Sequence, residues 1–497
     1  MKAKSRLQTS DVGVDDNSRL DSSTRMGSLC VGVSLAAMAA LLFEVTLTRV
    51  FAVLMWYHFA YMAVSLALLG FGASGSLLTS LRIVDRKAAI WNRLALYSTS
   101  FGVAIIVSFL LVSRISIDSL QLWKSPSNLL GLMLTFVILS VAFLFAGLAI
   151  GSSLSWHPQH VGRIYFFDLL GSAVGGLGAP LLLSRLRTDA VIMVAALIAF
   201  VAGAVFALGA GRLRRLAHVI PVIIGLLLVI SFAGGAFKIP SLSWRIPFAP
   251  HKVFVELFFP QGISEKTLPS ATAQVDVSEP KSMPMFMASD FGPEGTRQIN
   301  LRGVTQDGTA PTALYENAGS YEQFSAFNNA QAATAFLAYA SAGKSEPEVL
   351  VIGVGGGPDV MMSLFHGAKK VTAVDVNTAM INMVREDYAD YIGHLFDNPK
   401  VHLVNDEGRS YLKRSNDNYD IIQLSGVDTY TALSTGAYTL SEAYLYTVEA
   451  VMDMYTRLKG GGYVNYSRLI LTTPDRPPRE TLRLANIART ALERLGV

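Results

Sequence analysis

The stretch VLVIGVGGGPDV, residues 349–360, decides the fold of the C-terminal part of this chain. Four apolar residues lead into a loop that has glycine at four of five positions, and Pro358 and Asp359 then begin a helical pattern. A buried strand, a glycine-rich loop and a helix in this order are typical of a sheet that binds a nucleotide at the carboxyl ends of its strands. A purely structural turn is the alternative interpretation.

Strand and helix patterns alternate from this loop to the end of the chain. The strands are predicted at 348–354, 370–376, 400–406, 419–425 and 462–469, and the helices at 358–366, 378–391, 408–414, 441–458 and 479–494. Such alternation predicts an α/β doubly wound, Rossmann-like domain with a mostly parallel sheet over residues 346–497.

Acidic residues follow the loop at positions that suit a nucleoside. Asp375 ends the second predicted strand, 22 residues after Gly353, and an acid about 20 residues on is where ribose hydroxyls are bound. Asp406 and Glu407 end the third strand, where a carboxylate can accept a hydrogen bond from an adenine amino group. Because Pro358 replaces the last glycine of the dinucleotide pattern, the sequence favours S-adenosylmethionine or a derivative over NAD.

The first half of the chain has a different composition. Hydrophobic residues make up 51% of the chain and charged residues 16%, whereas a soluble protein has about 25% charged residues. The apolar runs before residue 236 predict an α-helical transmembrane bundle over 28–236, with spans of about 20 residues each. About seven spans are predicted, at 28–48, 57–80, 94–113, 128–151, 164–184, 190–210 and 216–236.

Two further regions flank this bundle. Residues 1–27 are polar and are predicted to form a disordered cytoplasmic tail. Residues 237–345 contain TAQVDVSE and RQINLRGVTQ, whose alternation of apolar and polar residues predicts a linker with a small β-rich module. Within the bundle, Gly147 with Gly151 and Gly171 with Gly175 have the four-residue spacing that lets helices approach closely.

The distribution of Lys and Arg orients the bundle. The N-terminal tail has five, the loop after the second span four and the loop at 212–215 three, which predicts a cytoplasmic tail. Seven spans would then place the C-terminal domain outside, whereas a nucleoside donor of this kind is cytoplasmic. We therefore predict a cytoplasmic C-terminal domain and suspect that 216–236, which contains Pro221, is re-entrant or interfacial.

Three ionisable residues, Glu44, Arg49 and Asp168, fall in or near apolar segments. A charge at bilayer depth needs a partner or a wet cavity. Pairing between Arg49 and Asp168 across helices is as plausible as pairing with Glu44, and the three residues serve either structure or a polar path for a substrate.

The net charge of +4 is too small to indicate nucleic acid. A single cysteine, Cys30, excludes an intrachain disulfide and a cysteine-based metal site, and we predict no metal.

Residues 270–470 resemble the polyamine aminopropyltransferases, the spermidine synthases, which have a class I methyltransferase-like fold. The motifs are VLVIGVGGG, AVDVN, DEGRSYL, YDIIQLSGVD and RLKGGGYV, and LRGVTQ resembles the family's N-terminal hairpin. The apolar half, with FEVTLTR and RIYFFDLLGSAVGG, is similar to bacterial proteins that fuse a membrane bundle to such a domain. The resemblance implies a multi-pass protein of the bacterial inner membrane, with the lipid bilayer and a small amine as partners and a homodimer as one assembly.

The resemblance also implies a reaction. Decarboxylated S-adenosylmethionine gives its aminopropyl group to putrescine or another amine, and methylthioadenosine is left. Asp428 matches the family's second acid and is the implied catalytic residue, and Tyr430 and Tyr438 are further catalytic candidates. The implied donor-binding residues are Gly353, Gly355, Gly357, Asp359, Asp375, Asp406, Glu407 and Gln306.

The chain departs from the family at chemically important positions. Ser425 stands where the family has its basic carboxylate, Gly356 where it has the aspartate that binds the donor's amine, and Thr429 where it has proline. Three functions stay open: aminopropyl transfer with Asp428 as base, methyl transfer from S-adenosylmethionine, and nucleoside or polyamine binding by a transporter or sensor without catalysis. The chain ends in a helical pattern where the family's sheet continues, so we expect the C-terminal domain to be truncated relative to the family.

Overall fold

The computed structural model describes residues 16–55, 57–80, 90–115, 117–118, 122–209, 215–233, 252–260, 264–285, 298–427, 444–467 and 479–497. Within these residues, seven helices form the N-terminal part of the chain. They are α1 (Asp16–Leu54), α2 (Met62–Ser80), α3 (Ile90–Val112), α4 (Pro126–Trp156), α5 (Val161–Leu183), α6 (Thr188–Leu208) and α7 (Arg215–Ala233). By length and composition, the first six are candidate membrane spans, so the predicted set of apolar helices is confirmed for these six.

The seventh predicted span, 216–236, forms α7, whose described apolar part, His218–Ala233, is shorter than the other six. This helix packs beside α6, where Gly225 lies close to Phe200. Its opposite face exposes large apolar side chains, as a helix in contact with lipid does. These side chains include Val219, Ile220, Ile223, Ile224, Leu227 and Ile230.

The first helix begins at Asp16, inside the stretch predicted as a disordered tail. In the structure, residues 16–27 of this stretch are therefore helical. Adding turns to an existing helix gives one hydrogen bond for each residue ordered, so the apolar span supplies the nucleus from which the helix extends. Residues 1–15 of the tail lie outside the described residues.

Glycines bring the helices of the bundle together, as their spacing predicts. A Cβ atom on Gly171 or Gly175 of α5 would overlap the backbone of α1 at Ser34 or Met38. Helix backbones approach this closely only where the side chain is hydrogen. Gly171 and Gly175 therefore have a structural role.

The C-terminal part begins with a short helix, α8 (Val253–Phe258), and a five-stranded antiparallel sheet. Its strands are β1 (Lys266–Leu268), β2 (Val275–Val277), β3 (Lys281–Pro284), β4 (Gln298–Gln306) and β5 (Thr309–Tyr315). The strand order is β1-β2-β4-β3, and β5 pairs with β4. A small β-rich region is thus present where the alternating sequence pattern predicts it.

A second sheet follows, in which all described strand pairs are parallel. After α9 (Thr334–Ser341), strands and helices alternate as predicted. They are β6 (Glu348–Ile352), α10 (Pro358–Phe365), β7 (Lys370–Asp375), α11 (Thr378–Asn382), β8 (Val401–Asn405), α12 (Gly408–Arg414), β9 (Tyr419–Ser425), α13 (Val448–Thr456), β10 (Leu458–Ser467) and α14 (Arg479–Leu495). The strand order is β10-β9-β6-β7-β8, which confirms the doubly wound fold.

The two sheets share one hydrophobic core. Leu301 and Leu314 of the antiparallel sheet belong to the same buried cluster as Val349, Val351 and Val360 around the parallel sheet. The small β-rich region is therefore packed against the α/β region rather than attached to it by a linker alone.

Among the described residues, the C-terminal part contacts α1 near the end of this helix that carries Arg49. The Arg49 guanidinium donates hydrogen bonds to the Ser270 carbonyl at 3.2 Å and the Ala271 carbonyl at 2.9 Å. Nearer its beginning, α1 passes the last turns of α6, where Gly32 meets Phe206. The beginning of α1 and the C-terminal part therefore lie at opposite ends of the bundle. The predicted partners of Arg49, Glu44 and Asp168, are not its partners in the structure, because a segment distant in sequence lies closer.

Candidate functional site

Loops that follow β6, β7, β8 and β9 meet at the carboxyl edge of the parallel sheet. The strand order reverses between β6 and β9, which run side by side. Ligands of open α/β sheets bind at such a switch point, outside the carboxyl ends of the strands. The glycine loop after β6 and the end of β9 therefore frame the candidate site.

The glycine loop adopts a conformation that requires its glycines. Gly353, Gly355 and Gly357 have φ angles of +81°, +54° and +93°, in the left-handed region that other residues rarely adopt. The Gly356 N–H donates to the Thr312 hydroxyl of β5 at 3.0 Å. The antiparallel sheet thus holds the loop that the parallel sheet presents.

Gly356 has no room for a side chain. A Cβ atom on this residue would overlap the Ala313 carbonyl of β5 and lie 3.1 Å from the Leu314 backbone nitrogen. The resemblance places an aspartate at this position to bind the donor's amine. An aspartate here would push β5 away from the loop, so the departure from the family has a steric cause.

Asp375 is fixed at the end of β7 by backbone amides. One carboxylate oxygen accepts the Asn377 N–H at 2.8 Å, and the other accepts the Gly355 N–H at 3.1 Å. Burial raises the pKa of Asp375, and hydrogen bonds from the backbone of Asn377, Gly355 and Val354 oppose that rise. Because a carboxylate has about four lone-pair sites, this one can still accept a hydrogen bond from a ribose hydroxyl.

Asn377 joins Asp375 to Gln306. Its side-chain nitrogen donates to Gln306 Oε1 at 2.7 Å, and its side-chain oxygen accepts the Ala379 N–H at 3.1 Å and so caps α11. Gln306, at the end of β4, is thereby brought to the same edge as Asp375. The sequence analysis did not select Asn377, although an asparagine two residues after the acid and just before a helix is a typical N-cap.

Asp406 and Glu407 have different surroundings. The Glu407 carboxylate accepts two backbone N–H groups in the first turn of α12, at 3.0 and 2.8 Å, and caps this helix. Asp406 forms an ion pair with Arg414, and its N–H donates to the Asp375 carbonyl at 3.0 Å. Asp406 is therefore the predicted adenine partner that adjoins Asp375, whereas Glu407 already has a structural task.

Asp359 reaches the end of β9. Burial raises the pKa of Asp359 to about 6, and the nearby side chains of Ser425 and Gln423 oppose that rise. Ser425 occupies the position where the resemblance expects a basic carboxylate, so α10 supplies an acid close to the place where β9 lacks one. Sequence reasoning could not find this contact, because the two residues meet only through the pairing of β6 with β9.

The predicted catalytic residues Asp428, Tyr430 and Tyr438 lie outside the described residues, and their roles stay predictions. Val427, which comes just before these residues in the chain, accepts at its carbonyl a hydrogen bond from the Tyr446 hydroxyl at 2.5 Å. In the part of the chain that the structure describes, no group of three or more His, Cys, Asp or Glu residues could hold a metal ion.

Comparison with known proteins identifies similar enzymes. Residues 337–465 match the family model of the spermine/spermidine synthase domain. The chain is 30% identical over 136 residues to polyamine aminopropyltransferase 2 of Pseudomonas aeruginosa, which covers 27% of this chain and 37% of that protein. It is 28% identical over 145 residues to the polyamine aminopropyltransferase of Korarchaeum cryptofilum, which covers 29% and 44%.

The chain thus spans about two fifths of the length of these curated relatives. Among solved structures, the spermidine synthase from Thermotoga maritima is 18% identical, with a TM-score of 0.26 over 40% of this chain and 54% of that one. A spermidine synthase in complex with the transition state analogue AdoDATO is also 18% identical, with a TM-score of 0.25 and the same coverage. The chain therefore joins six candidate membrane spans to a C-terminal region that is similar to the spermine/spermidine synthases over residues 337–465.

Proposed function

We propose that the C-terminal region binds decarboxylated S-adenosylmethionine and transfers its aminopropyl group to an amine. The observation that carries the proposal is the Asp375 carboxylate, which two backbone amides hold beside the glycine loop at the switch point of the sheet. A fixed carboxylate in this place is suited to a ribose, which it would bind through the hydroxyls. Similarity to the polyamine aminopropyltransferases supports the type of group that is transferred.

The proposed reaction needs one proton transfer from the acceptor. An amine with an ordinary pKa near ~10.4 must lose a proton before its nitrogen attacks the carbon next to the sulfonium. The new nitrogen–carbon bond forms as the carbon–sulfur bond breaks, and the electron pair stays on sulfur in methylthioadenosine. We assign the proton to Asp359, which lies near Ser425 at the end of β9. Asp428, which the resemblance implies, is the other candidate base.

Two other functions have support in particular residues. Methyl transfer from S-adenosylmethionine is favoured by Gly356, because no acid stands where the family binds the donor's amine and selects against a donor carboxylate. Binding of a nucleoside or polyamine without catalysis is favoured by Ser425, because a hydroxyl is no base at neutral pH. The nucleoside released from each donor distinguishes the three functions.

We also propose that the bundle crosses a lipid bilayer and that the N-terminal tail and the C-terminal region lie on opposite faces. The support is the contact of the C-terminal region with the far end of α1, together with the apolar outward face of α7. Since the tail and the loops on its side have most of the Lys and Arg residues, the tail is cytoplasmic. The C-terminal region is then extracytoplasmic. This proposal replaces the predicted cytoplasmic location, and it requires that the donor be supplied on the outer face.

Replacement of Asp375 tests nucleoside binding. We expect Asp375→Asn to weaken binding of methylthioadenosine about tenfold to hundredfold, because a hydrogen bond to a charged group contributes about 1.5–3 kcal/mol. Isothermal titration calorimetry on the full chain in detergent measures the dissociation constant. The control is Asp417→Asn, at an exposed acid that pairs with Lys370 just before β9. Unchanged affinity in Asp375→Asn contradicts the proposed site.

The same preparation tests the reaction. The full chain is incubated with putrescine and either decarboxylated S-adenosylmethionine or S-adenosylmethionine, and mass spectrometry identifies the product nucleoside. Methylthioadenosine from the decarboxylated donor is the expected result. S-adenosylhomocysteine supports methyl transfer instead, and binding of both donors without product supports the binding function.

Replacement of Asp359 tests the proposed base through its pH dependence. The pKa of this carboxyl is raised from 3.8 to about 6 in the folded chain. The folded chain therefore resists ionisation, and its stability falls as the pH rises from about 4 to about 6. We expect Asp359→Asn to have the wild-type unfolding temperature at pH 4, a higher one above pH 6, and no transfer activity. A stability difference that is the same at every pH, or full activity, contradicts the assignment.

Cysteine labelling tests the orientation. Single cysteines are placed at residue 5 in the tail and at exposed Glu346, in a chain that has Cys30→Ala. A membrane-impermeant maleimide is expected to label Glu346→Cys in intact cells and Ser5→Cys only after permeabilisation. If residues 5 and 346 are labelled from the same side, the tail and the C-terminal region do not lie on opposite faces of the membrane. Labelling of residue 5 alone in intact cells contradicts the orientation derived from charge.

A further inference from the structure

We propose that Arg49, near the end of the first candidate span, is a positioning residue for the nucleoside site. Through Ser270 and Asn377, this arginine holds Asp375 and Gln306 at the edge of the sheet. The inference rests on the proposed function for what the site binds, but the positioning itself can be measured without a ligand. The bundle would then be part of the structure that makes the site.

The first step is the contact of Arg49 with a turn of the C-terminal region. The arginine is 1% exposed, and its two terminal nitrogens donate to the Ser270 and Ala271 carbonyls at 3.2 and 2.9 Å. Two hydrogen bonds from one planar guanidinium to the carbonyls of consecutive residues fix the direction of the peptide as well as its distance. The turn at 270–271 is therefore oriented by the end of α1.

The second step leads from this turn to the site. The Ser270 hydroxyl donates to Asn377 Oδ1 at 2.8 Å. Asn377 in turn donates its N–H to Asp375 and its side-chain amide to Gln306. Hydrogen bonds that run from Arg49 through Ser270 to Asn377 thus connect α1 to Asp375 and Gln306, the predicted nucleoside-binding side chains.

A second contact reaches the same place from another direction. The turn between β4 and β5 has two residues in the left-handed region, Asp307 at φ +49° and Gly308 at φ +68°, as a two-residue hairpin with Asp-Gly requires. The Lys252 ammonium donates to the Asp307 carbonyl at 2.7 Å and to two carbonyls at the end of α1 at 2.8 and 3.1 Å. Since Gln306 precedes Asp307, α1 also holds the strand end that carries Gln306.

The contact between the end of α1 and the C-terminal region contains buried charges, which indicates that it fixes the position of this region. Arg49, Lys252, Asp276 and Asp307 are all buried, and Arg49 Nε lies 3.7 Å from the Asp307 carboxylate. Burial lowers the pKa of Lys252 and raises the pKa of Asp307, and each charge opposes the shift of the other. Buried ion pairs of this kind give little net stability compared with apolar residues, and their best-supported role is to select one arrangement.

Plain attachment of the C-terminal region to the bundle is the competing explanation. It accounts for Arg49 and Lys252, but not for the branch from Ser270 to Asn377, which leads away from the interface. The two explanations differ in one respect that can be measured. Positioning requires that a change at Arg49 reach Asn377, whereas attachment does not.

The test combines two mild variants in the full chain. Arg49→Lys keeps the positive charge and loses the paired donors, and Ser270→Ala removes the hydroxyl that reaches Asn377. The matched controls are Arg489→Lys, at an arginine that pairs with Glu493 within α14, and Ser125→Ala, whose exposed hydroxyl contacts Ser127. The readouts are amide hydrogen exchange at residues 377–379 without ligand and the dissociation constant of methylthioadenosine.

We expect faster exchange at residues 377–379 in both variants and an affinity about threefold to tenfold weaker, with the wild-type values in both controls. The double variant is expected to bind methylthioadenosine no more weakly than the weaker-binding single variant, because both changes interrupt the same connection. Wild-type exchange at 377–379 in Arg49→Lys overturns the proposal, and so do effects that add.

The failure of the proposed function is distinguishable from the failure of this inference. If the wild-type chain binds no methylthioadenosine, the proposed function is wrong, and amide exchange alone decides whether Arg49 positions Asn377. If Asp375→Asn weakens binding whereas Arg49→Lys and Ser270→Ala leave both readouts unchanged, the function stands and the inference is wrong.

Discussion

The position of the β4–β5 hairpin is the constraint on which the candidate site depends. Buried charges hold its turn at Asp307 against the end of α1. One strand of the hairpin brings Gln306 to Asn377, and the other lies so close to the glycine loop that residue 356 can only be glycine. The bundle, the antiparallel sheet and the parallel sheet therefore meet at one place, and a shift of the hairpin would alter all of them.

This arrangement gives the departures from the family a physical meaning. The amine-binding aspartate is missing because β5 occupies its space, and the carboxylate missing from β9 has a neighbour in Asp359. The acid at 359 is buried with a raised pKa, which costs stability at neutral pH, and residues that are kept at such a cost are common at functional sites. The part of the candidate site that we propose to bind the ribose keeps the family's pattern, whereas the positions at which the family has its reacting carboxylate and its amine-binding aspartate are changed.

Local sequence signals predicted the fold and the edge of the sheet at which the candidate site lies. Apolar periodicity located the parallel strands and six long helices, and the glycine loop with Asp375 marked the carboxyl edge. Contacts between distant segments were not predictable in this way, since no local pattern links Arg49 to Ser270 or Asp359 to Ser425. Glu407 has a role that the strand-end pattern did not indicate: this acid, predicted to contact a ligand, also precedes a helix and caps it.

An experimental structure of the full chain with methylthioadenosine tests the central claim most directly. The account predicts the nucleoside at the switch point of the parallel sheet, with a ribose hydroxyl about 2.7 Å from the Asp375 carboxylate and with Gln306 and Asn377 joined as they are here. A nucleoside bound elsewhere, or a ribose turned away from Asp375 while the hairpin keeps its place against α1, would contradict it.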